Sequence, residues 1–349
     1  MRLLGKKKNV LGLDIGASSL KLVSLNRKSD TYELNSLGYR EITPEAMVSS
    51  EIKDHEAIVF EIQNLIDQYA PDAKEVAVAI EGHGIITDKI TIDKKSGTEA
   101  EQAILFEAEQ RSPFDVEDVT MDYHIINVNE ETNKMDVLLV AARNEYLRSY
   151  LRLITDAGLT PVLVDADSLA ILNAFEVNYE IDPNQVIALV NIGFDVTNVT
   201  FVKDGFYHST RDVSGGGRFI FDAVQREFQL NDELALKLLK GDVSASVDED
   251  LYKATLVTST DELLAGLEVA FSYFKTSAKI EEIDWILLSG GGALISNFAE
   301  LFQARLGTPV EIANPLRNIE YDPAMFDGIN FEQIAPLFAV AVGLAVREV

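Results

Sequence analysis

Val10-Leu-Gly-Leu-Asp-Ile-Gly-Ala-Ser-Ser-Leu-Lys-Leu-Val23 and Ile187-Ala-Leu-Val-Asn-Ile-Gly-Phe-Asp-Val-Thr-Asn-Val-Thr200 are two copies of one pattern. The copies align without a gap, and Gly16 of the first matches Gly193 of the second. Each copy predicts a buried strand, a tight glycine turn and a second apolar strand, so the tip of each hairpin offers N–H groups and hydroxyls to an anion. Because there is one hairpin in each half of the chain, we expect them to hold a polyphosphate between them.

Length and composition indicate a two-domain globular protein. A chain of 349 residues is too long for one ordinary core, and 47% hydrophobic with 25% charged residues excludes a disordered chain. The net charge of −27 argues against nucleic-acid binding, because phosphate contacts along a nucleic acid need Lys and Arg. The chain has no cysteine, which excludes disulfides, thiolate nucleophiles and cysteine-ligated metals.

The sequence predicts neither a secretion signal nor a membrane span. The basic start at 1–8 is not followed by a suitable apolar segment, and the nearly apolar run 334–346 contains Pro336 and is too short to cross a bilayer. We therefore expect a cytoplasmic protein in which 334–346 forms a buried terminal helix.

The order of predicted elements repeats in the two halves of the chain. Hydrophobic periodicity places the elements of the first half at strands 9–14, 19–26 and 31–41, helix 55–70, strand 75–80, strand 161–165 and helix 168–176. The elements of the second half fall at strands 186–192, 196–203 and 205–213, helix 217–228, strand 285–289 and helix 293–306. This α/β order resembles a ribonuclease-H-like unit in both halves.

Each half is expected to form one domain. The first comprises 1–83, 155–180 and 333–349, and the second comprises 181–332 with a small helical insertion near 218–275. Residues 84–154 are long enough for an inserted αβ subdomain, with a helix at 99–111, strands at 120–127 and 135–142, and a closing helix from 144.

The first hairpin has the form D-x-G-x(4)-K, made by Asp14, Gly16 and Lys21. A carboxylate at the end of a buried strand can hold Mg²⁺ through its water ligands, and the lysine points back toward phosphates. Asn191 occupies the carboxylate position of the second copy, which predicts weaker Mg²⁺ binding and weaker activation of water. Asp195 nearby either compensates for this change or only stabilises the turn.

Two glycine clusters support an anion or nucleoside site. Gly290-Gly-Gly292 follows an apolar strand, and Gly215-Gly-Gly217 opens a helix. Such glycines let a base or ribose lie against bare backbone next to a helix N-terminus. The chain contains neither a G-x-G-x-x-G fingerprint nor a G-x(4)-G-K-[ST] loop, which excludes the common nucleotide-binding motifs.

This ordered set of segments resembles the actin-like ATPase superfamily. The stretch Phe106-Glu-Ala-Glu-Gln-Arg-Ser-Pro-Phe114, followed by Asp122-Tyr123 and the segment 148–165, narrows the resemblance to the PilM family. Its members are cytoplasmic, FtsA-related proteins of type IV pilus assembly. The resemblance covers essentially the whole chain and implies two ribonuclease-H-like domains around a nucleotide cleft, with an αβ insertion in the first.

The resemblance implies ATP or ADP with Mg²⁺ as cofactors and Asp14 as the residue that holds the metal through water. The phosphate-binding positions carried over are Asp14, Gly16, Ala17, Ser18, Ser19, Lys21, Asn191, Gly193, Asp195 and Thr197. Those carried over toward the nucleoside are Gly215, Gly216, Lys237, Gly290, Gly291 and Gly292. Asp167 takes the place of the group that orients the attacking water in catalytic relatives, although a helix N-cap explains it equally well.

The function implied is a nucleotide-regulated adaptor, at most a weak ATPase, because Asn191 and Leu234 stand where relatives carry carboxylates. Its implied partners are the cytoplasmic N-terminal tail of the membrane protein PilN and other pilus assembly proteins, which would place it at the inner membrane indirectly. Self-association into a homo-oligomer stays open. Two alternatives remain: an FtsA- or MreB-like filament-forming ATPase and a small-molecule kinase of the same fold, which needs a general base beside an acceptor hydroxyl.

Overall fold

The structure is a computed structural model that describes residues 10–28, 31–43, 45–111, 115–241, 247–326, 331 and 334–348. The first domain is built on a sheet of strand order β10-β6-β1-β2-β3-β16. These strands are β1 (Leu11–Ile15), β2 (Ser19–Lys28), β3 (Thr31–Glu41), β6 (Glu75–Ile80), β10 (Thr160–Ala166) and β16 (Ile319–Glu320). The helices with this sheet are α1 (His55–Tyr69), α3 (Asn144–Asp156), α4 (Asp167–Asn178) and α9 (Ala339–Ala345).

The second domain is built on a sheet of strand order β13-β12-β11-β14-β15. Its strands are β11 (Ile187–Ile192), β12 (Val196–Lys203), β13 (Phe206–Ser214), β14 (Trp285–Ser289) and β15 (Val310–Ile312). Its helices are α5 (Gly217–Phe228), α6 (Asp232–Leu239), α7 (Glu249–Ala278) and α8 (Phe298–Leu306).

The two sheets share one topology. In each, three consecutive strands form an antiparallel meander, and two later strands add in parallel beside the first strand. The all-apolar segment Val76–Ile80 is the parallel strand β6 between β1 and β10, covered on both faces as its composition requires. The repeat seen in the sequence is therefore a repeat of the fold.

Helices cover the sheets with faces that follow from their spacing. In α1, Ile58, Ile62 and Leu65 recur at helical intervals and pack into the core of the first sheet, while Asp54 caps the helix by accepting from the Ala57 N–H at 3.0 Å. In the second domain, Phe201 and Phe274 stack face to face with ring centroids 3.9 Å apart, which fixes the long helix α7 on its sheet.

The insertion forms a sheet of order β7-β9-β8, made by β7 (Ile85–Asp93), β8 (Val119–Asn129) and β9 (Lys134–Arg143) and packed against α2 (Gly97–Arg111). Strand β7 is missing from the sequence prediction, although Ile90 and Ile92 alternate inward as a strand requires. A short hairpin, β4 (Met47–Val48) with β5 (Glu51–Ile52), precedes α1 and was also not predicted.

Packing suggests different domain boundaries from those expected. Tyr150, Leu153 and Ile154 of α3 lie in the core of the first sheet, so we propose to end the inserted subdomain at Arg143 rather than at 154. Strand β16 pairs with β3, and Phe326 packs with that sheet, so we propose to return the chain to the first domain before 319 rather than at 333.

Some predicted helices differ in detail. The helix expected over 293–306 divides into a 3₁₀ turn, Gly291–Leu294, and helix α8, because Asn297 adopts a left-handed conformation between them. The terminal helix starts as a 3₁₀ turn at Ala335–Phe338, where Pro336 lacks an N–H, and then becomes α9. Of the stretch 106–114, residues 106–111 form the end of α2 and 112–114 lie outside the described residues.

Candidate functional site

The two hairpin tips face a cavity of about 320 Å³ between the domains, which we call the cleft. Both tips form the same turn: the Gly16 N–H donates to the Ser19 carbonyl at 3.1 Å, and the Gly193 N–H donates to the Val196 carbonyl at 3.0 Å. Thirteen of the sequence-predicted residues line the cleft: Asp14, Gly16, Ala17, Ser18, Ser19, Lys21, Asp167, Asn191, Gly193, Asp195, Gly290, Gly291 and Gly292.

Four predicted residues do not line the cleft. The buried Thr197 hydroxyl donates to the Gly215 carbonyl at 2.9 Å, which ties the second hairpin to the turn before α5. Gly216 lies against the second hairpin, where a β-carbon would come within 2.4 Å of the Gly193 carbonyl oxygen. The glycine at 216 is therefore explained by packing and the glycine at 215 by its positive φ of 103°, and neither needs a ligand.

Lys237 is the fourth of these residues. Its ammonium pairs with Glu233 at 2.7 Å across one turn of α6, on the solvent side. Asp232, Leu236 and Leu239 of α6 line the cleft at helical spacing, together with Lys240, the C-cap residue that follows the helix. A lysine three positions later thus takes the place expected for Lys237.

In the first hairpin, Asp14 and Lys21 sit directly opposite each other across β1 and β2. The Lys21 ammonium lies 3.2 Å from an Asp14 carboxylate oxygen and also donates to the Ser19 carbonyl at 3.3 Å. Lys21 is only 9% exposed, so its charge acts inside the cleft and neutralises Asp14. The lysine of the D-x-G-x(4)-K motif therefore has a partner that orients it toward the hairpin tip.

The second hairpin is uncharged at the matching positions, since Asn191 faces Asn198 across the ladder. The Asn191 side-chain oxygen accepts from the Ser289 hydroxyl at 3.2 Å. Gly290 has a positive φ of 81°, and a β-carbon there would lie 2.5 Å from the Ile192 carbonyl oxygen. The first glycine of the 290–292 cluster is thus required by backbone conformation and by close approach to β11.

Asp195 joins the two domains. One carboxylate oxygen accepts from the backbone N–H of Ser49 at 2.8 Å, and the other accepts from Arg218 Nε at 2.5 Å. The Arg218 guanidinium lies 4.4 Å from the centre of the Phe194 ring. The sequence allowed two roles for Asp195, compensation for the negative charge missing at Asn191 or stabilisation of the turn. The structure shows that Asp195 makes a contact across the cleft.

Glu81 lines the cleft and was missed in the sequence. Burial, followed by the negative charge of Asp14, raises the pKa of Glu81 to about 7, and Lys21 opposes this shift. A usable signal was present: Glu81 follows strand β6, and ligands of open α/β sheets bind at the carboxyl ends of parallel strands.

Asp167 follows the next parallel strand, β10, and is the first residue of α4. The helix cap position is Ala166, so Asp167 does not have the N-cap role considered for it. Its carboxylate accepts the Ser168 N–H at 2.7 Å and is 7% exposed. Burial, with repulsion from Glu81 and Asp212, raises the pKa of Asp167 well above its ordinary value.

The hairpin Met47–Ile52 of the first domain contacts two residues that line the cleft, Glu81 and Asp195. Its turn residues Ser49 and Ser50 both have positive φ, 50° and 64°, which matches a type I′ turn and is uncommon without Asn or Gly. Besides the Ser49 contact with Asp195, the Ser50 hydroxyl donates to a Glu81 carboxylate oxygen at 3.2 Å. Strain at such positions persists where the surroundings hold them in place.

Residues 12–349 match the family described as type IV pilus assembly protein PilM. The chain belongs to the PilM family. A solved structure described as the PilM-PilN type IV pilus biogenesis complex is similar to it with a TM-score of 0.84 and 26% identity, covering 97% of this chain and 98% of that one. Membership of the PilM family confirms the resemblance drawn from the sequence.

Two further solved structures share the fold of the PilM family. Ethanolamine utilization protein EutJ from Carboxydothermus hydrogenoformans has a TM-score of 0.59 and 14% identity, covering 99% of this chain and 91% of that one. MreB5 of Spiroplasma citri bound to ADP has a TM-score of 0.51 and 14% identity, covering 95% and 94%. The expected actin-like fold, two ribonuclease-H-like domains around a cleft, is confirmed.

Within the described ranges, no group of three or more His, Asp and Glu side chains is arranged to hold a metal ion. Among the helices that the structure describes, none has the length and apolar character needed to cross a bilayer.

Proposed function

We propose that this chain is an ATP-binding, actin-like adaptor of type IV pilus assembly. The observation that carries the proposal is that two matching glycine turns, Gly16–Ser19 and the turn at Gly193, line one cleft between two sheets of the same topology. The small residues Ala17 and Ser18 at the first tip let an anion approach the backbone N–H groups and the Ser18 hydroxyl, and Lys21 supplies a positive charge. Phosphates would lie between the two tips.

The residues present suit a nucleotide with its cation. Asp14 would hold Mg²⁺ through water, and the cation would balance the phosphates and the carboxylates of the cleft. Leu236, Leu239 and Ile295 give the far end of the cleft an apolar wall, next to Gly291 and Gly292, which suits a base. The ADP described for MreB5 of Spiroplasma citri, which shares this fold, supports a nucleotide as the ligand.

Hydrolysis is expected to be slow or absent. Asp167 would be the residue that orients an attacking water, but burial and the nearby carboxylates of Glu81 and Asp212 raise its pKa, which disfavours the charged form that a general base needs. Asn191 adds no negative charge on the opposite side of the cleft. The geometry therefore supports binding and domain closure better than turnover.

The partner that we propose is the cytoplasmic N-terminal tail of PilN, supported by the complex described for the similar structure. An extended peptide can add to an exposed strand edge, and β8 is an edge strand of the inserted sheet. Three apolar side chains of β8 are more than a third exposed: Tyr123, Ile125 and Val128. Phe106, on the helix α2 that packs on the inserted sheet, is also more than a third exposed. Through PilN the chain would be peripheral to the inner membrane.

The test is calorimetry with MgATP and MgADP, followed by titration of a synthetic PilN tail peptide with and without nucleotide. We expect nucleotide binding, peptide binding and slow phosphate release. Lys21→Ala should weaken nucleotide binding, whereas Lys237→Ala is the matched control on the surface. No heat with either nucleotide, or no peptide binding with ATP present, would contradict the proposal. Nucleotide-dependent pelleting would instead favour the filament alternative.

A further inference from the structure

The inserted subdomain is attached through a narrow neck beside the cleft. The chain enters at Glu81–Gly84, just before β7, and leaves after β9 at the start of α3. The two crossings touch each other, because a β-carbon on Gly84 would lie 2.1 Å from the ring of Tyr146. Tyr146, in the first turn of α3, thus packs directly on the segment through which the chain enters the insertion.

The hydroxyl of Tyr146 is placed between three groups. It lies 2.6 Å from the Glu81 carbonyl oxygen, 3.0 Å from the Ser50 carbonyl oxygen and 3.3 Å from the Tyr150 hydroxyl. A phenol has one proton, so the two carbonyls share one donor. Tyr146 therefore holds the backbone of Glu81 and the backbone of Ser50 at a fixed separation.

Glu81 and Ser50 both connect Tyr146 to the cleft. The carboxylate of Glu81 lines it, the Ser50 hydroxyl donates to that carboxylate at 3.2 Å, and the neighbouring Ser49 N–H donates to Asp195 of the second domain. A ligand that changes the position of the Glu81 carboxylate, or closes the domains on Asp195, consequently acts on both groups that Tyr146 holds.

We propose that Tyr146 is a positioning residue that couples occupancy of the cleft to the inserted subdomain. The inference rests on the proposed nucleotide binding and adds the contacts through which that binding affects the inserted subdomain. Tyr146 follows β9, the central strand of the inserted sheet, so a shift of Glu81 reaches that sheet through the neck. Coupling of this kind needs a structural element whose conformation is changed from both sites, and in this proposal the neck is that element.

A second contact of the insertion, made with the second domain, offers a matched control. The Tyr207 hydroxyl of the second domain lies 3.0 Å from the Thr87 hydroxyl on β7. Tyr146→Phe and Tyr207→Phe each remove one phenolic hydroxyl and keep the ring, so Tyr146→Phe retains the packing on Gly84. Ser50→Gly removes the hydroxyl bound to Glu81, fits the positive φ and serves as a second variant of the same path.

The experiment is hydrogen exchange measured by mass spectrometry on the full chain, with and without MgADP. In the wild-type chain we expect MgADP to slow exchange at the hairpin tips and to change it by about twofold or more in β7 and β9. Tyr146→Phe and Ser50→Gly should keep the protection at the tips and lose the change in the inserted sheet, while Tyr207→Phe keeps both. Thermal melting checks that each variant folds.

Three results would overturn the role of Tyr146: an unchanged response in Tyr146→Phe, a loss confined to Tyr207→Phe, or a wild-type chain protected at the tips with no response in the inserted sheet. In all three the proposed nucleotide binding would stand. No protection anywhere in the wild-type chain would contradict nucleotide binding itself, and the coupling with it.

Discussion

The backbone N–H of Ser49 donates to the carboxylate of Asp195 at 2.8 Å and so joins the first domain to the second across the cleft. The bond comes from a turn with two consecutive left-handed residues, and Arg218 binds the other oxygen of the same carboxylate. Closure of the cleft in this structure therefore has a specific polar contact that needs no ligand.

Replacing Asp195 by Ala should loosen this contact. The variant loses a hydrogen bond from Ser49 and an ion pair with Arg218, and bonds to a charged group contribute about 1–3 kcal/mol to the free energy of unfolding. Urea unfolding measures the loss, and hydrogen exchange should show faster exchange at Met47–Ile52. Asp93→Ala, which removes an exposed pair with Lys134, is the control and should change little. Equal effects of the two variants would contradict the bridging role.

Replacing Lys21 by Met should weaken both the fold and nucleotide binding. The substitution keeps an unbranched apolar side chain but leaves the Asp14 carboxylate without its cation, which should lower the free energy of unfolding by about 1–3 kcal/mol. MgATP affinity should fall roughly tenfold or more, equivalent to about 1.4 kcal/mol. Lys237→Met is the control, because its partner Glu233 lies on the surface. Calorimetry decides, and an unchanged affinity for MgATP would remove Lys21 from the site.

Replacing Glu81 by Gln should alter the pH dependence of stability. The folded pKa of about 7 lies above the ordinary value of 4.5, so between these values the folded chain binds more protons than the unfolded one. The stability from protonated Glu81 is complete below about pH 4.5 and is lost as the pH rises through about 7. Gln stays neutral, so the variant should gain stability over wild type progressively from pH 5 to 8.

Thermal unfolding across this pH range measures the difference for Glu81→Gln. The control is Glu99→Gln on the surface of α2, where Lys95 lowers the pKa of Glu99, so no such gain is expected. Parallel stability curves for Glu81→Gln and wild type would show that Glu81 titrates normally.

Replacing Gly290 by Ala should destabilise the chain much more than replacing Gly291. The new β-carbon at 290 would lie 2.5 Å from the Ile192 carbonyl oxygen at a positive φ, so we expect a loss of roughly 2 kcal/mol or more. At Gly291 the nearest atom is a Leu337 methyl at 3.7 Å, and a loss under about 1 kcal/mol is expected. Urea unfolding of both variants decides, and similar losses would contradict the assignment of Gly290 to close packing.

Local pattern was enough to predict the two hairpins. The repeat at 10–23 and 187–200 contains everything that each turn needs, because the strand alternation, the glycine and the closing hydrogen bond all lie within one short stretch. The same holds for α1, whose apolar stripe and Asp54 cap are adjacent in sequence. Asp167, which lines the cleft, was expected there from the resemblance to actin-like ATPases and not from local pattern.

Helix α6 shows what a resemblance alone does not fix. Lys237 lies in the last turn of α6 and Lys240 is its C-cap, and which of the two lines the cleft depends on how Ala235 and Leu238 pack into the second core. Glu81 shows the same limit, because its pKa depends on Asp14 and Lys21, which are far away in the sequence.

The sequence by itself determined that the chain carries two equivalent glycine hairpins on two α/β units, because neighbouring residues set a hairpin and the period of a strand or helix, and the order of these segments resembles actin-like proteins. Only the tertiary structure decided which charged groups share the cleft and that Ser50, Glu81 and Tyr146 meet beside it. Burial and electrostatic coupling arise between residues that folding alone brings together.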